Sequence, residues 1–184
     1  TNPVADNAAV IKAIVSKASE VGYCSVYPIG SITKGLEGKE LSEMGDMVEA
    51  GIVAVSDDGK CVADPAVMRN ALIYANALGI PVISHSEDVG LSSGGLMNEG
   101  YYSSVLGLKG IPAAAEEIMV ARDCLLAEAT GAKLHIAHVS TAGSVRIVRE
   151  AKARGIKVTC EAAPHHFSLT DKDVSGYDTN MKVN

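Results

Sequence analysis

The chain lacks tryptophan and contains only one phenylalanine and six tyrosines among its 184 residues. Aromatic residues make up 4% of the sequence, too few for the stacking platforms on which single-stranded nucleic acids bind. Positive charge is also scarce, since 16 Lys and Arg residues stand against 22 Asp and Glu residues and the net charge is −6. Nucleic acids and anionic membranes attract basic patches, so this composition predicts that neither is a partner.

Long apolar runs are missing as well. Hydrophobic residues amount to 47% of the chain, but they occur in short blocks. None of these blocks approaches the roughly 20 apolar residues that a membrane span requires. No basic and apolar leader is visible at Thr1, and the first residue is not Met, which suggests a fragment or a processed piece of a longer protein.

Paired cysteine motifs are absent too. The four cysteines show no Cys-x-x-Cys spacing, which disfavours a zinc knuckle or a redox pair. Cys24 and Cys160 lie in strand-like runs, where a small buried thiol is ordinary. We therefore expect all four cysteines to be reduced and structural, in a cytoplasmic protein.

The chain does contain one repeated pattern, in which a predicted helix ends in glycine and a β-rich run follows directly. Glycine is the usual left-handed residue after a helix. About five strands alternating with helices are typical of a parallel α/β architecture. The predicted helices are 10–21, 41–50, 65–78, 112–130 and 141–154, and the predicted strands are 23–28, 51–58, 80–85, 133–138 and 156–161.

Two parallel architectures fit this alternation. A nucleotide-binding α/β module should carry Gly-x-Gly-x-x-Gly after an early strand, and the nearest candidate, residues 35–38, lacks that spacing. Polar residues instead end several strands, which favours a (β/α)8 TIM-type barrel with its site at the carboxyl edge. Eight units need about 250 residues. The chain therefore predicts a single incomplete barrel domain, 1–184, with about five parallel strands and flanking helices.

One connection is longer than the others. Residues 88–111 separate the third predicted strand from the helix before the fourth, and they are rich in Gly and Ser. They follow the carboxyl end of a strand, where α/β enzymes place loops that cover ligands. The position predicts a ligand-covering loop.

Three of the predicted strands end in residues that bind metals, namely Asp58, His85 and His138. Taken singly, a strand-end histidine is more often structural, and Asp57-Asp58-Gly59 is more often a turn. The carboxyl ends of neighbouring parallel strands meet at one edge of the sheet, however, so the three together favour a shared metal site.

Other polar residues near these strand ends are weaker candidates for the site. His135 lies three residues before His138 and so does not share its face of a strand, which predicts a structural role. Glu161 is expected to orient another group rather than to bind metal. His165 and His166 follow the fifth strand and either belong to an ordinary loop or approach the mouth of the site.

Several motifs together resemble one enzyme family. The strongest is His-x-x-His-Val-Ser-Thr at 135–141, combined with the long loop that contains Glu-Gly. The others are Thr-Asn-Pro at 1–3, Gly-Ser-Ile-Thr-Lys-Gly at 30–35, Ser-Asp-Asp-Gly at 56–59, His-Ser-Glu-Asp at 85–88, Asn-Glu-Gly at 98–100, Ala-Glu-Glu at 115–117, Pro-His-His at 164–166 and Lys-Val-Asn at 182–184. Over essentially its whole length, the chain resembles the bacterial long-chain dihydroorotases of the amidohydrolase superfamily.

The resemblance implies a barrel with two zinc ions at the carboxyl ends of its strands, the chain supplying strands three to seven. It matches Asp58 to a bridging carboxylate, His85 and His138 to ligands of the second zinc, and Asn184 to an asparagine that binds the substrate. The family's His-x-His on strand one and catalytic Asp on strand eight have no counterpart in these residues. We therefore assign no catalytic residue here, and expect weak or absent zinc binding and no turnover from this stretch alone.

The activity that the resemblance implies is the reversible cyclisation of N-carbamoyl-L-aspartate to (S)-dihydroorotate in pyrimidine synthesis, with zinc polarising the carbonyl and acidifying water. Hydantoinases, dihydropyrimidinases and allantoinases are alternatives, although they usually place a lysine where Asp58 stands. Another alternative is a non-catalytic dihydroorotase-like subunit that stabilises a transcarbamoylase. Aspartate transcarbamoylase is therefore a candidate partner. The two open edges of a five-strand segment also predict a homo-oligomer.

Overall fold

Alternating strands and helices make up residues 1–181, the part of the chain that the computed structural model describes. The strands are β1 (Ile29–Gly30), β2 (Ala54–Ser56), β3 (Val82–Ser84), β4 (Met97–Asn98), β5 (Gly110–Ile111), β6 (Leu134–Ile136) and β7 (Val158–Cys160). The helices are α1 (Ala8–Val21), α2 (Met44–Ala50), α3 (Pro65–Leu78), α4 (Val89–Ser92), α5 (Tyr101–Leu106), α6 (Ala114–Thr130), α7 (Ala142–Ala153) and α8 (Pro164–Ser168). Short 3-10 turns lie at Lys34–Leu36, Asp171–Gly176 and Thr179–Met181.

Helix α3 shows how local chemistry sets the helix bounds. The side chain of Asp64 accepts hydrogen bonds from the backbone N–H groups of Ala66, at 2.7 Å, and Val67, at 3.2 Å. Pro65 occupies the first turn, where its missing N–H costs nothing. At the other end Gly79 takes a φ of 75°, a left-handed conformation that ends the helix. The predicted helix 65–78 is confirmed at both ends.

The main sheet is parallel and has the order β1-β2-β3-β6-β7. Its strands pair in register, for example Val82 with Leu134 and Leu134 with Val158. Val55, Val82, Leu134 and Val158 lie in one core cluster with buried side chains of α1, α2, α3, α6 and α7. Helices therefore cover one face of five parallel strands, as in a section of a barrel wall, and the predicted α/β fold class is confirmed.

The opposite face of the sheet is more open. Ile83, His135 and Thr159 lie side by side in register on three neighbouring strands. Side chains alternate along a strand, so these residues point away from the helices that pack on Leu134 and Ile136. Ile83 and His135 are only part-buried, and Thr159 is exposed.

The first predicted strand, 23–28, is wrong. Tyr23 and Tyr27 are 94% and 71% exposed, and the strand begins only at Ile29, where the chain pairs with Ala54. Their β-forming side chains have a local preference for extended structure but find no partner strand there. Cys24 in this stretch, and Cys160 on the edge strand β7, are exposed rather than buried.

The long connection 88–111 has a structure of its own. It contains α4 and α5, and its two short strands pair in parallel through Met97 with Gly110. Asn98 donates a hydrogen bond to Asp171 at 3.2 Å, and the Tyr177 hydroxyl donates one to the Leu106 carbonyl at 2.7 Å. The connection is thus fastened to the segment after α8. Among residues 1–181, no helix is both long and apolar enough to cross a bilayer.

Candidate metal centre

The three candidate ligands follow three adjacent strands. Asp58 lies two residues after β2, His85 comes directly after β3, and His138 lies two residues after β6. These strands are neighbours in the parallel sheet, so their carboxyl ends meet at the same edge. The topology therefore places all three side chains at one rim of the sheet.

Their donor atoms face one another. Nδ1 of His85 lies 2.9 Å from Nε2 of His138, and both nitrogens lie 3.3 Å from Oδ1 of Asp58. One ligand atom from each residue falls within 4.8 Å of the others. Tetrahedral zinc, with ligands at about 2.0–2.2 Å, would space its ligand atoms about 3.3–3.5 Å apart. The two nitrogen–oxygen distances match this spacing and the nitrogen–nitrogen distance of 2.9 Å is shorter, so a small separation of the two rings would fit the group to a zinc-type cation.

Exposure differs across the three side chains. His85 is 18% exposed, His138 is 37% exposed and Asp58 is 65% exposed. The histidines form the floor of the centre, with ring centroids 4.8 Å apart and an angle of 73° between the rings. The carboxylate lies toward solvent, so the centre is open on the side of Asp58.

The ring of His85 is oriented by a second carboxylate. Its Nε2 lies 3.2 Å from Oε2 of Glu87, which leaves Nδ1 directed at the centre. A hydrogen bond with the Ser92 side chain, together with contact to His85, lowers the pKa of Glu87 against the opposing effect of burial. A carboxylate on the far nitrogen of a ligand histidine fixes its ring and its tautomer in many metal sites.

His138 has an unusual backbone. Its φ is 38°, in the left-handed region that residues with a side chain rarely adopt. Both neighbours are fixed, because the N–H of Ala137 donates to the Ser84 carbonyl at 3.1 Å and that of Val139 to the Glu161 carbonyl at 2.8 Å. Such conformations cost about 1–3 kcal/mol and persist where the surroundings impose them.

Asp57, the neighbour of Asp58, has a different environment. It is 2% exposed and accepts hydrogen bonds from the N–H groups of Ile32, at 2.7 Å, and Thr33, at 3.1 Å, and from the Thr33 hydroxyl. Burial raises the pKa of its carboxyl, and the hydrogen bonds from Thr33 and Ile32 oppose this change. Asp57 therefore ties the end of β2 to the segment after β1 and is not available at the rim.

The other sequence candidates lie outside this group. His135 contacts Thr159, with its Nδ1 2.8 Å from the hydroxyl, and its Nε2 lies 3.4 Å from Glu161. His165 and His166 lie on α8 with ring centroids 4.1 Å apart. The pKa of His166 is lowered mainly by burial and also by the positive charge of His165. Asn184 lies outside the described residues.

Sequence reasoning missed the buried groups beneath the rim. Asp123 on α6 is 0% exposed and accepts a hydrogen bond from the Ser84 hydroxyl at 2.6 Å. Its partner Arg122 also donates to the carbonyls of Val62, at 2.9 Å, and Ala63, at 3.0 Å. Burial raises the pKa of Asp123, and the Arg122 charge opposes it. The available signal was an acid at a position of α6 where Met119, Val120 and Cys124 predict a buried face.

Comparison with known proteins shows the family of the chain. A family model described as dihydro-orotase-like matches residues 1–144. The chain belongs to the dihydroorotase-like family. It is 65% identical over 184 residues to a dihydroorotase of Pelotomaculum thermopropionicum and 61% identical over 184 residues to one of Geobacter sulfurreducens. These matches cover 100% of the chain but only 43% of each relative, so the chain spans less than half of their length.

Solved structures of the same fold come from hydantoinases. An L-hydantoinase (dihydropyrimidinase) from Arthrobacter aurescens superposes with a TM-score of 0.72 at 21% identity, covering 94% of this chain and 40% of that one. A D-hydantoinase (dihydropyrimidinase) from a Thermus species gives 0.60 at 22% identity, covering 88% of this chain and 37% of that one. At this identity the likeness concerns the fold alone, and it confirms the expectation of part of a TIM-type barrel.

Proposed function

We propose that this dihydroorotase-like chain forms one side of the zinc centre of a dihydroorotase, with Asp58, His85 and His138 as ligands. The observation that carries the proposal is the triangle of donor atoms at the rim, with sides of 2.9, 3.3 and 3.3 Å. The 65% identity to a dihydroorotase supports the choice of reaction. That reaction is the reversible cyclisation of N-carbamoyl-L-aspartate to (S)-dihydroorotate.

The proposed metal ligands and the residues around them have distinct roles. Bound zinc would polarise the amide carbonyl and lower the pKa of water. His85 and His138 hold the cation from the floor, Asp58 supplies a negatively charged oxygen from the solvent side, and Glu87 keeps His85 in its binding orientation. We assign substrate binding to Asn184. The two histidines of strand one that complete the zinc site, and the residue that transfers the proton, are assigned to positions outside these 184, so the chain alone should bind zinc weakly and turn over nothing.

The experiment compares two aspartates of the intact enzyme that carries this chain. Asp58→Asn keeps the size of the side chain but removes the anionic ligand oxygen, so zinc affinity and the rate of dihydroorotate hydrolysis should each fall about 100-fold or more, beyond the 10–100-fold typical of residues behind the ligands. Asp46→Asn on α2, an exposed aspartate, is the matched control and should change neither. Full activity of Asp58→Asn would contradict the placement of the site.

Substrate choice and scaffold function are tested on the unmodified intact enzyme. Dihydroorotate should be hydrolysed in preference to hydantoin and allantoin. A preference for hydantoin would instead favour a hydantoinase activity, which is the activity in the name of the structural neighbour from Arthrobacter aurescens. A protein that bound no zinc would instead favour a non-catalytic subunit. We also propose a cytoplasmic homo-oligomer with aspartate transcarbamoylase as a partner, and light scattering of the protein alone and mixed with the transcarbamoylase tests both associations.

A further inference from the structure

A group of hydrogen bonds close to His138 belongs to Glu116, in the first turn of α6. Its carboxylate accepts hydrogen bonds from the backbone N–H of Ser140, at 3.0 Å, and from that of Thr141, at 3.2 Å. The hydroxyls of the same two residues also donate to it. One carboxylate thus receives four donor groups from two consecutive residues, and these residues stand two and three places after His138.

The contacts of Glu116 also lie at the start of α7. Thr141 is the N-cap of this helix, and its hydroxyl oxygen accepts the N–H of Ser144 at 3.1 Å. The N–H groups at a helix start lack intrahelical acceptors and favour a negative charge nearby. A carboxylate from the neighbouring helix supplies both an acceptor and that charge. The loop 138–141 is therefore held by α6 as well as by its own helix.

A close approach of the two helices supports the same conclusion. A Cβ atom added to Gly143, in the first turn of α7, would lie 2.0 Å from Oε1 and 2.2 Å from Cδ of Glu117. Any side chain at this position would displace Glu117, the residue next to Glu116. The start of α7 therefore lies against the start of α6 at a distance that glycine permits.

These contacts limit where His138 can point. Its φ is positive while its Nε2 faces His85 and Asp58, and the N–H of Val139 fixes the loop to the carbonyl of Glu161, the residue after β7. At the next two residues, Glu116 accepts the N–H groups of Ser140 and Thr141, and the Thr141 hydroxyl also contacts Ser144 at the start of α7. A loop released at Ser140 and Thr141 can let His138 return to a negative φ, and this would turn Nε2 away from Asp58.

We propose that Glu116 is a positioning residue that holds the ligand His138 in the metal centre through Ser140 and Thr141. The statement about metal rests on the proposed function, whereas the statement about the backbone of His138 does not. A residue that only stabilised the start of α7 would alter the free energy of unfolding and leave zinc affinity and metal geometry unchanged. Zinc affinity and metal geometry therefore separate the two roles.

The test uses two substitutions at Glu116 and a control on the same helix, all in the intact enzyme. Glu116→Ala removes every acceptor, and Glu116→Gln keeps one oxygen acceptor but replaces the other with an NH2 group. Glu128→Gln is the matched control, because Glu128 lies near the far end of α6 and contacts Arg154 at 3.4 Å. Zinc affinity is measured by chelator competition, and metal geometry by the visible spectrum after Co²⁺ substitution.

We expect Glu116→Ala to weaken zinc binding about 10–100-fold, the usual range for residues that orient ligands, and to change the Co²⁺ spectrum. Glu116→Gln should lie between Ala and the unmodified enzyme, and Glu128→Gln should match the unmodified enzyme. Unchanged zinc affinity and an unchanged spectrum in both Glu116 variants would overturn the inference, whatever happens to their stability.

A metal-free crystal structure of Glu116→Gln or Glu116→Ala separates this inference from the proposed function. The inference predicts a negative φ at His138 in Glu116→Ala, and a φ that stays near 38° would contradict it. An unmodified enzyme that bound no zinc would contradict the proposed function. If Glu116→Ala does not fold, the metal-free structure of Glu116→Gln tests the inference instead. We then expect the loop 138–141 to be displaced, and an unmoved loop would contradict the inference.

Discussion

Asp57 and Asp58 are adjacent in the chain but belong to opposite sides of the rim. Asp57 is 2% exposed and accepts three hydrogen bonds from the segment after β1, whereas the Asp58 side chain is 65% exposed and faces two imidazoles. Successive side chains at a strand end point in opposite directions, so one motif supplies both an internal tie and a ligand. The environment of each carboxyl group, rather than its residue type, decides its role.

The same division recurs at the next strand. Ser84 and Ser86 are 3% and 6% exposed, and their hydroxyls lie 3.1 Å apart beneath the rim, where Ser84 also reaches Asp123. His85 lies between them in the chain and points to the centre. At β2 and at β3, then, a ligand stands next to a buried polar residue that fixes the backbone. Rigid support of this kind is what holds ligands in a binding geometry.

The largest expected stability effect comes from removing the buried carboxylate. Asp57→Ala leaves the N–H groups of Ile32 and Thr33 without acceptors, and each such loss costs about 1–3 kcal/mol. We expect the free energy of unfolding to fall by about 3 kcal/mol, whereas Asp58→Ala should change it by less than about 0.5 kcal/mol, as exposed substitutions usually do. Denaturant unfolding of the metal-free intact enzyme checks both values, and equal losses would abolish the contrast.

A smaller effect should appear in the pH dependence of stability. Burial raises the pKa of Asp57 above its ordinary value of 3.8, so the folded protein retains the proton to higher pH than the unfolded chain does. The stability gained from that proton is complete below about pH 3.8 and is lost as the pH rises through the folded pKa. Asp57→Asn has no such loss, so its stability relative to the unmodified enzyme should increase from pH 4 to 7. A difference independent of pH would show that Asp57 titrates alike in both states.

Much of this fold could be predicted from the sequence because the signals are local. Asp64, Pro65 and Gly79 mark both ends of α3, and the helix-glycine-strand rhythm predicts the parallel sheet. Local preference failed at 23–28, because a strand also needs a partner and the ladder with β2 begins only at Ile29. The pairing of strands depends on the whole chain and not on the run itself.

The candidate site was predictable in part for the same reason. Strand ends place Asp58, His85 and His138 at one rim, so their proximity follows from topology. The supports could not be found this way, because Glu116 and Ser140 are 24 residues apart and Ser84 and Asp123 are 39 apart, and such contacts leave no periodic signal. Neither does the left-handed φ of His138, whose two neighbours in the chain are hydrogen-bonded to Ser84 and Glu161.

The most direct test is a crystal structure of the intact enzyme with zinc, located by anomalous scattering at the zinc edge. We expect a zinc ion about 2.0–2.2 Å from Nδ1 of His85, Nε2 of His138 and a carboxylate oxygen of Asp58, while Asp57 keeps its hydrogen bonds from Ile32 and Thr33. A zinc ion bound elsewhere, or bound by Asp57 in place of Asp58, would contradict this expectation.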